Sequence, residues 1–263
     1  MKNQGLARLV VLLLAALAGC RALAPAPPAV ALLSGEELLS RLRDRYQNIQ
    51  SFKATGRITF LSPRQNYSGT AILRGRFPDI LRVDVLDLLG RTILSFATDG
   101  RQVQVLSPRE GKLFRGPATP ANLAAFIPPA VTLTQATRLL VGALPLSQGA
   151  VEGFEYEPAR GQYRLAWRAP GGDVIERLEV AAQGLHPEVE AWYGGAPEPR
   201  FTARFSGFGL LAPNFPEKIT LATAAPKVEL RLTYSEIQLN PPLTPGDLSL
   251  QPPPGVSVVP LAP

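Results

Sequence analysis

The chain is poor in the side chains that carry covalent and redox chemistry: its 263 residues include one cysteine, Cys20, and one histidine, His186. A lone cysteine excludes an internal disulfide and a thiolate metal cluster. A lone histidine leaves one candidate base for any catalytic triad. It stands in Gly184-Leu185-His186-Pro187, which reads as a turn between strands and gives a triad no visible geometry. The sequence has no Gly-x-Ser-x-Gly elbow, no Walker loop, no dinucleotide fingerprint and no His-Glu-x-x-His pair. Basic residues are scattered rather than clustered with aromatics, so no nucleic-acid partner is expected. Beyond the N-terminus no apolar run is long enough to cross a bilayer as a helix. Carboxylates remain. Asp84 and Asp87 flank a strand end, and Glu188 and Glu190 are expected on one strand face, two apart; either pair leaves glycosidase-type chemistry open, although acids on an outward strand face are usually just solvated. The expectation is a protein that is not an enzyme and needs no metal or organic cofactor.

What is present begins at the N-terminus. Lys2 and Arg8 precede the apolar run Leu9 to Leu17, the plan of an export signal. The run ends in Leu17-Ala18-Gly19-Cys20, which resembles the lipobox of bacterial lipoproteins. The resemblance implies a signal peptide over 1–19, cleavage before Cys20, and covalent lipid on Cys20. Each buried CH₂ of that lipid contributes about 0.8 kcal/mol, enough for several acyl chains to anchor the protein firmly. Arg21 follows the cysteine where retention in the inner membrane would want Asp, which implies an outer-membrane location facing the periplasm. Residues 20–31 then read as the lipidated cysteine and a Pro/Ala tether that stays extended. Without Lys2 and Arg8 the mature chain keeps a net charge of about +4, compatible with anionic head groups.

From Leu32 to Asn240 the pattern is that of one domain, with neither linker nor repeat. Ser34-Gly35-Glu36-Glu37 reads as a capping box, followed by Leu38, Leu39, Leu42, Tyr46 and Ile49 at helical spacing. At Ser51 the period changes to two, with Phe52, Ala54, Gly56, Ile58 and Phe60 on one face. Short strands follow to Leu106, separated by Ser62-Pro63, Phe77-Pro78 and Asp99-Gly100, as in an antiparallel meander. Two helices, from Thr119-Pro120 to Phe126 and from Thr132 to Leu144, then interrupt the strands. Alternation returns from Val151 to Tyr234. This adds up to a mainly β, α+β fold: an incomplete antiparallel barrel of about eleven strands with helices lidding an apolar cavity. Residues 241–263 form a Pro-rich tail, expected to lie irregularly over the domain or to dangle.

The segment Ile80-Leu81-Arg82-Val83-Asp84-Val85-Leu86-Asp87-Leu88-Leu89-Gly90-Arg91-Thr92-Ile93-Leu94 runs as a strand into an apolar turn and out again. It resembles the LolA/LolB lipoprotein-localisation family, and LolB within it, where a strand leads to a short loop closing in Leu-Gly. Thr134 to Pro145, ending Leu140-Val141-Gly142-Ala143-Leu144-Pro145, is similar to a helix of that family with a Leu-Gly-Leu-Pro-like end. The chain departs from LolB in its greater length, in Leu88 where Pro is common, and in Leu250-Gln251-Pro252-Pro253-Pro254-Gly255-Val256, which is closer to LolA-type carriers.

The resemblance implies a lipoprotein receptor or carrier that binds acylated cargo and helps insert it into the outer membrane. Leu88 and Leu89 then belong to a membrane-inserting turn, with Leu89 at the family's inserting position. Strand alternation does not call for two leucines there, which independently marks an interaction site. Phe126, Ile127, Leu139, Leu140 and Leu144 on the lid are the candidates for touching acyl chains, with core packing as the alternative use of the same residue types. Implied partners are a membrane, acylated lipoprotein or lipid cargo, and a periplasmic LolA-like carrier; a monomer is expected. Two rivals stay open: an envelope lipoprotein that docks a protein or another lipid or glycolipid, and a carboxylate hydrolase.

Overall fold

The structure, a computed structural model, describes residues 32–63, 66–124, 126–127, 131–147, 151–194, 196–225 and 227–262. The chain divides into Met1–Leu32 and Leu33–Pro263, and only the second unit is described below. The signal peptide, Cys20, Arg21 and the tether lie outside the described residues.

Helix α1 spans Gly35–Tyr46. Ser34 caps it, its hydroxyl accepting from the Glu37 amide, but Glu37 does not complete the expected box because its carboxylate is held by Arg41 at 2.6 Å. Leu38, Leu39, Leu42 and Tyr46 form its buried stripe. Six strands follow as a meander: β1 (Ser51–Leu61), β2 (Asn66–Arg76), β3 (Ile80–Leu86), β4 (Thr92–Thr98), β5 (Gln102–Ser107) and β6 (Lys112–Pro117). Two short helices come next, α2 (Pro120–Leu123) and α3 (Leu133–Leu139). A second meander contains β7 (Gly153–Glu157), β8 (Gln162–Arg168), β9 (Val174–Ala181), β10 (Pro187–Trp192), β11 (Phe201–Phe208), β12 (Pro216–Thr223) and β13 (Val228–Leu239). The chain closes with α4 (Pro245–Leu248) and β14 (Ser257–Pro260).

All fourteen strands join one sheet in the order β14-β6-β5-β4-β3-β2-β1-β13-β12-β11-β10-β9-β8-β7. The two meanders meet where β1 pairs with β13, so β6 and β7 lie far apart, toward opposite edges. That topology dictates the lid: the chain between β6 and β7 must cross the sheet, and it crosses on the inner face. Leu123, Ile127, Ala136 and Leu139 from the crossing segment share one core cluster with Phe52, Ile58, Phe96, Trp167 and Leu232 from the strands. The mainly β, helix-lidded open sheet expected from the sequence is therefore what forms.

Three expectations need correction. The sheet has fourteen strands rather than the eleven or twelve that the alternation marks, because β6 and β14 show no such alternation. The second helix ends at Leu139, not Leu144: Gly142 takes φ +73° and the Ala143 amide turns back to the Arg138 carbonyl, so 140–144 are a buried non-helical strap. Likewise the first helix is only Pro120–Leu123, with Phe126 and Ile127 in the turn after it. The tail is not irregular throughout. Thr244 and Asp247 form a capping box that starts α4; Leu250 joins Ala97, Leu106 and Leu113 in a cluster on the outer face; and β14 pairs in parallel with β6.

One polar cluster ties the tail to the sheet. Asp84, buried on the outer face, accepts from Arg74 at 2.8 Å, Arg82 at 2.9 Å and the Ser95 hydroxyl at 2.6 Å, and Arg82 also donates to the Ser249 carbonyl at 2.8 Å. Asp84→Ala takes the shared carboxylate from both arginines and leaves Arg82 only backbone carbonyls. The expected cost is about 2–3 kcal/mol, below the ~3–5 of a fully buried pair because both guanidiniums keep some access to water. Urea unfolding checks it.

Candidate functional site

Between lid and sheet lies a cavity of about 80 Å³ with almost wholly apolar walls, formed by Ile58, Leu73, Val85 and Phe96 of the sheet with Ala136 and Leu140 of the lid. At roughly 30 Å³ per water it would hold about three, and apolar cavities stay dry. Beside it runs an open groove of about 1200 Å³ that reaches Asp87 and Arg91, with Ile93, Val105 and Phe114 as apolar lining. Tyr67, Leu94 and Phe126 line both spaces and so form the wall between them. That wall is aromatic. Tyr67 stacks on Phe60 at 5.0 Å and Phe126 packs on Phe96 at 5.0 Å. Burial pushes the Tyr67 hydroxyl up to about 12, so it stays protonated. The apolar cavity fits only a few methylenes, and a longer chain has to extend into the groove or push Phe126 aside.

Of the five lid candidates, Phe126, Ile127 and Leu140 line the cavity. Leu139 and Leu144 are buried in the core and do not. Helix α3 explains the split: Ala136 and Leu140 are four apart and share the face toward the cavity.

The groove ends beside the turn that carries Leu88 and Leu89, which are 92% and 77% exposed. The turn is built to hold them out. Asp87 Oδ1 accepts from the amides of Leu89 and Arg91, both at 2.9 Å, and Oδ2 accepts from Arg91 Nε at 2.8 Å. The Gly90 amide returns to the Asp87 carbonyl, with Gly90 in the left-handed region at φ +76° where a side chain would be strained. The hydrogen bonds from Arg91 hold the Asp87 carboxyl below its usual range.

The proposed carboxylate pairs do not form as expected. Asp84 is occupied by its arginine clamp and Asp87 by its own turn. Glu188 and Glu190 do not share a face, because the pairing of β10 with β9 slips between Pro187 and Val189, leaving Glu188 exposed and Glu190 fully buried. Glu190 has instead a partner that sequence reading overlooked, Glu176 on β9, also fully buried. The signal was there: Glu176 alternates with Leu178 and Val180, which places it on the apolar face. His186 stacks on Phe208 at 4.4 Å, and its Nδ1 lies 3.2 Å from Arg45, which also donates to the carbonyls of Gly184 and Leu185. Burial first, then the Arg45 charge, lowers its pKa, so the ring is neutral and ties α1 to the β9–β10 turn. Among the described residues no cluster of three or more His, Cys, Asp or Glu could hold a metal, and no helix is long and apolar enough to cross a membrane.

No family model and no curated protein matches the sequence. Solved structures share its architecture. A LolA superfamily protein from Nitrosomonas europaea matches with TM-score 0.50 and 15% identity over 83% of this chain and 99% of its own. An outer membrane lipoprotein-sorting protein domain from Vibrio parahaemolyticus matches with TM-score 0.52 and 10% identity over 81% and 94%. A DUF1329 family protein from Desulfovibrio piger matches with TM-score 0.57 and 10% identity over 81% and 94%. The class is thus an open sheet, antiparallel but for β14, lidded by helices on its inner face. More particularly, the fold is LolA-like, as the resemblance in the sequence implied.

Proposed function

We propose that the protein is a non-enzymatic carrier or receptor of the bacterial envelope. It takes the acyl chains of a lipoprotein or lipid between lid and sheet and passes them to a membrane at Leu88-Leu89. The observation that carries this reading is continuity: an apolar cavity adjoins a groove that ends beside an exposed, rigidly held leucine turn. The likeness to a lipoprotein-sorting domain supports the same class of cargo. Lipid on Cys20 would anchor the protein, Arg21 favours the outer membrane, and a LolA-like periplasmic carrier would deliver the cargo to a monomeric receptor. No step needs a metal or organic cofactor. Apolar burial drives transfer, about 0.8 kcal/mol for each CH₂ taken from water, so affinity must rise from carrier to cavity to bilayer.

Native mass spectrometry of the gently purified protein tests this. An adduct with the mass of an acylated molecule, removed by exposure to excess vesicles, is the expected result. A clean unliganded mass with no uptake of offered lipopeptide contradicts it and favours a protein-docking role for the leucine turn.

A further inference from the structure

Two acids occupy positions that strand alternation assigns to the apolar inner face. Glu176 on β9 lies opposite Trp167 of β8 and Trp192 of β10, and Glu190 lies opposite Leu178, two residues along from Glu176. The acids are therefore diagonal neighbours on adjacent strands, a separation long side chains span. Neither exposes any surface. The Ser147 amide donates to Glu176 Oε2 at 2.9 Å and Trp192 Nε1 donates to Glu190 Oε1 at 2.8 Å. Glu176 Oε1, Glu190 Oε2 and Trp167 Nε1 have no partner among the described residues.

Among the described residues no cation offsets the pair. The inner-face neighbours on β8 and β11 are Tyr163, Leu165, Phe201 and Ala203, and the strap residues Leu144, Pro145, Leu146 and Ser147 carry no charge. Ser147 acts on Glu176, and Glu176 and the Trp192 indole act on Glu190. Burial, and for Glu190 also the adjacent Glu176, pushes the two carboxyls up to about 7 and about 8. Two adjacent carboxylates in a dry site cannot both ionise cheaply, so the pair retains a proton where solvated glutamates have lost theirs.

The position of the pair gives that proton a mechanical role. Leu140 lines the cavity, and the chain that follows it runs to Ser147, so the lid's C-terminal arm is fastened at two points. One is the Tyr234 hydroxyl, which donates to the Leu140 carbonyl at 2.8 Å and which burial keeps protonated. The other is Glu176, which can titrate.

We propose that Glu176 and Glu190 form a proton-binding site that latches the lid over the inner face. With a proton on the pair the strap stays docked through Ser147. With both ionised, repulsion and lost hydration drive the carboxyls toward water, and the strap leaves with them. The docked state binds more protons than the open one, whose solvated glutamates titrate near 4.5, so docking weakens as pH rises from there to about 8 and then levels off.

Hydrogen exchange at the amides of Val141, Gly142, Ala143, Leu144 and Ser147, corrected for intrinsic rates, tests the latch. Protection is expected to fall at least about tenfold from pH 5.5 to pH 8.5. Glu190→Gln should abolish most of that fall and raise protection at pH 8.5. Equal protection at both pH values, or an undiminished fall in both Glu190→Gln and Glu176→Gln, overturns it. Should the variants fold poorly, carboxyl-carbon titration of the wild type decides: midpoints above about 6 support the site and midpoints near the usual ~4.3 refute it. The readout uses no cargo, so a failed latch and a failed carrier reading are told apart.

Discussion

Leu88→Glu combined with Leu89→Glu is expected to weaken binding of the protein without its Cys20 lipid to phospholipid vesicles by more than about a hundredfold while leaving the unfolding midpoint unchanged. Both side chains stand in water, so the fold loses nothing when they change, and such surface substitutions stay within about 0.5 kcal/mol. Burying one leucine in lipid gains about 1.5–3 kcal/mol, so the two give about 3–6, or at least two decades at ~1.4 kcal/mol each. Vesicle flotation and a denaturant curve on the same variant read the two halves of this prediction. Loss of vesicle binding with a lowered midpoint would mean the turn is structural; retained binding would mean the membrane is touched elsewhere.

Ala136→Leu should remove cargo without harming the fold. Ala136 is on α3 and faces the cavity of about 80 Å³, which three added carbons would largely fill. Filling a void costs little stability or gains some, within about 1 kcal/mol. Excluding about three methylenes of an acyl chain at ~0.8 kcal/mol each lowers affinity roughly fiftyfold. Leu140→Gln is the less informative change, because it also buries an unmatched amide beside the strap. A fluorescent fatty acid titrated into wild type and Ala136→Leu separates the outcomes: unchanged affinity would place the acyl chain outside this cavity.

Much of the fold was legible because most strands bury one face only. β1 alternates cleanly, and Asp99-Gly100 or Ser62-Pro63 mark where chains reverse. What stayed hidden were elements covered on both sides. In β6, Leu113 packs under the tail while Phe114, next to it, faces the groove, so the period of two disappears. The strand in the tail had the same origin. Val258 and Val259 lie among prolines that suggested irregular chain, yet the edge of β6 offers a ladder that local sequence does not announce.

The site was legible in part for the same reason. Exposure of Leu88 and Leu89 follows from the turn itself, with Asp87 before and Gly90 after. Which lid residues face the cavity depends on where α3 ends, and Gly142 ends it earlier than the apolar pattern suggested. The Glu176–Glu190 pair was obscured by the slip in pairing near Glu188, which reverses the parity of β10. Only Glu176, beside Leu178 and Val180, could have been caught by counting alternate positions.

The central claim, that acyl chains enter between lid and sheet, is tested most directly by a lipopeptide whose acyl chain carries a spin label, offered to protein with labelled methyl groups. The account predicts strong broadening of the Ile58, Ile127 and Leu140 methyls, with those of Leu250 on the outer face unaffected. Broadening confined to Leu88 and Leu89, or to the outer face, would contradict it and leave the protein with a membrane-touching turn but no cargo site under its lid.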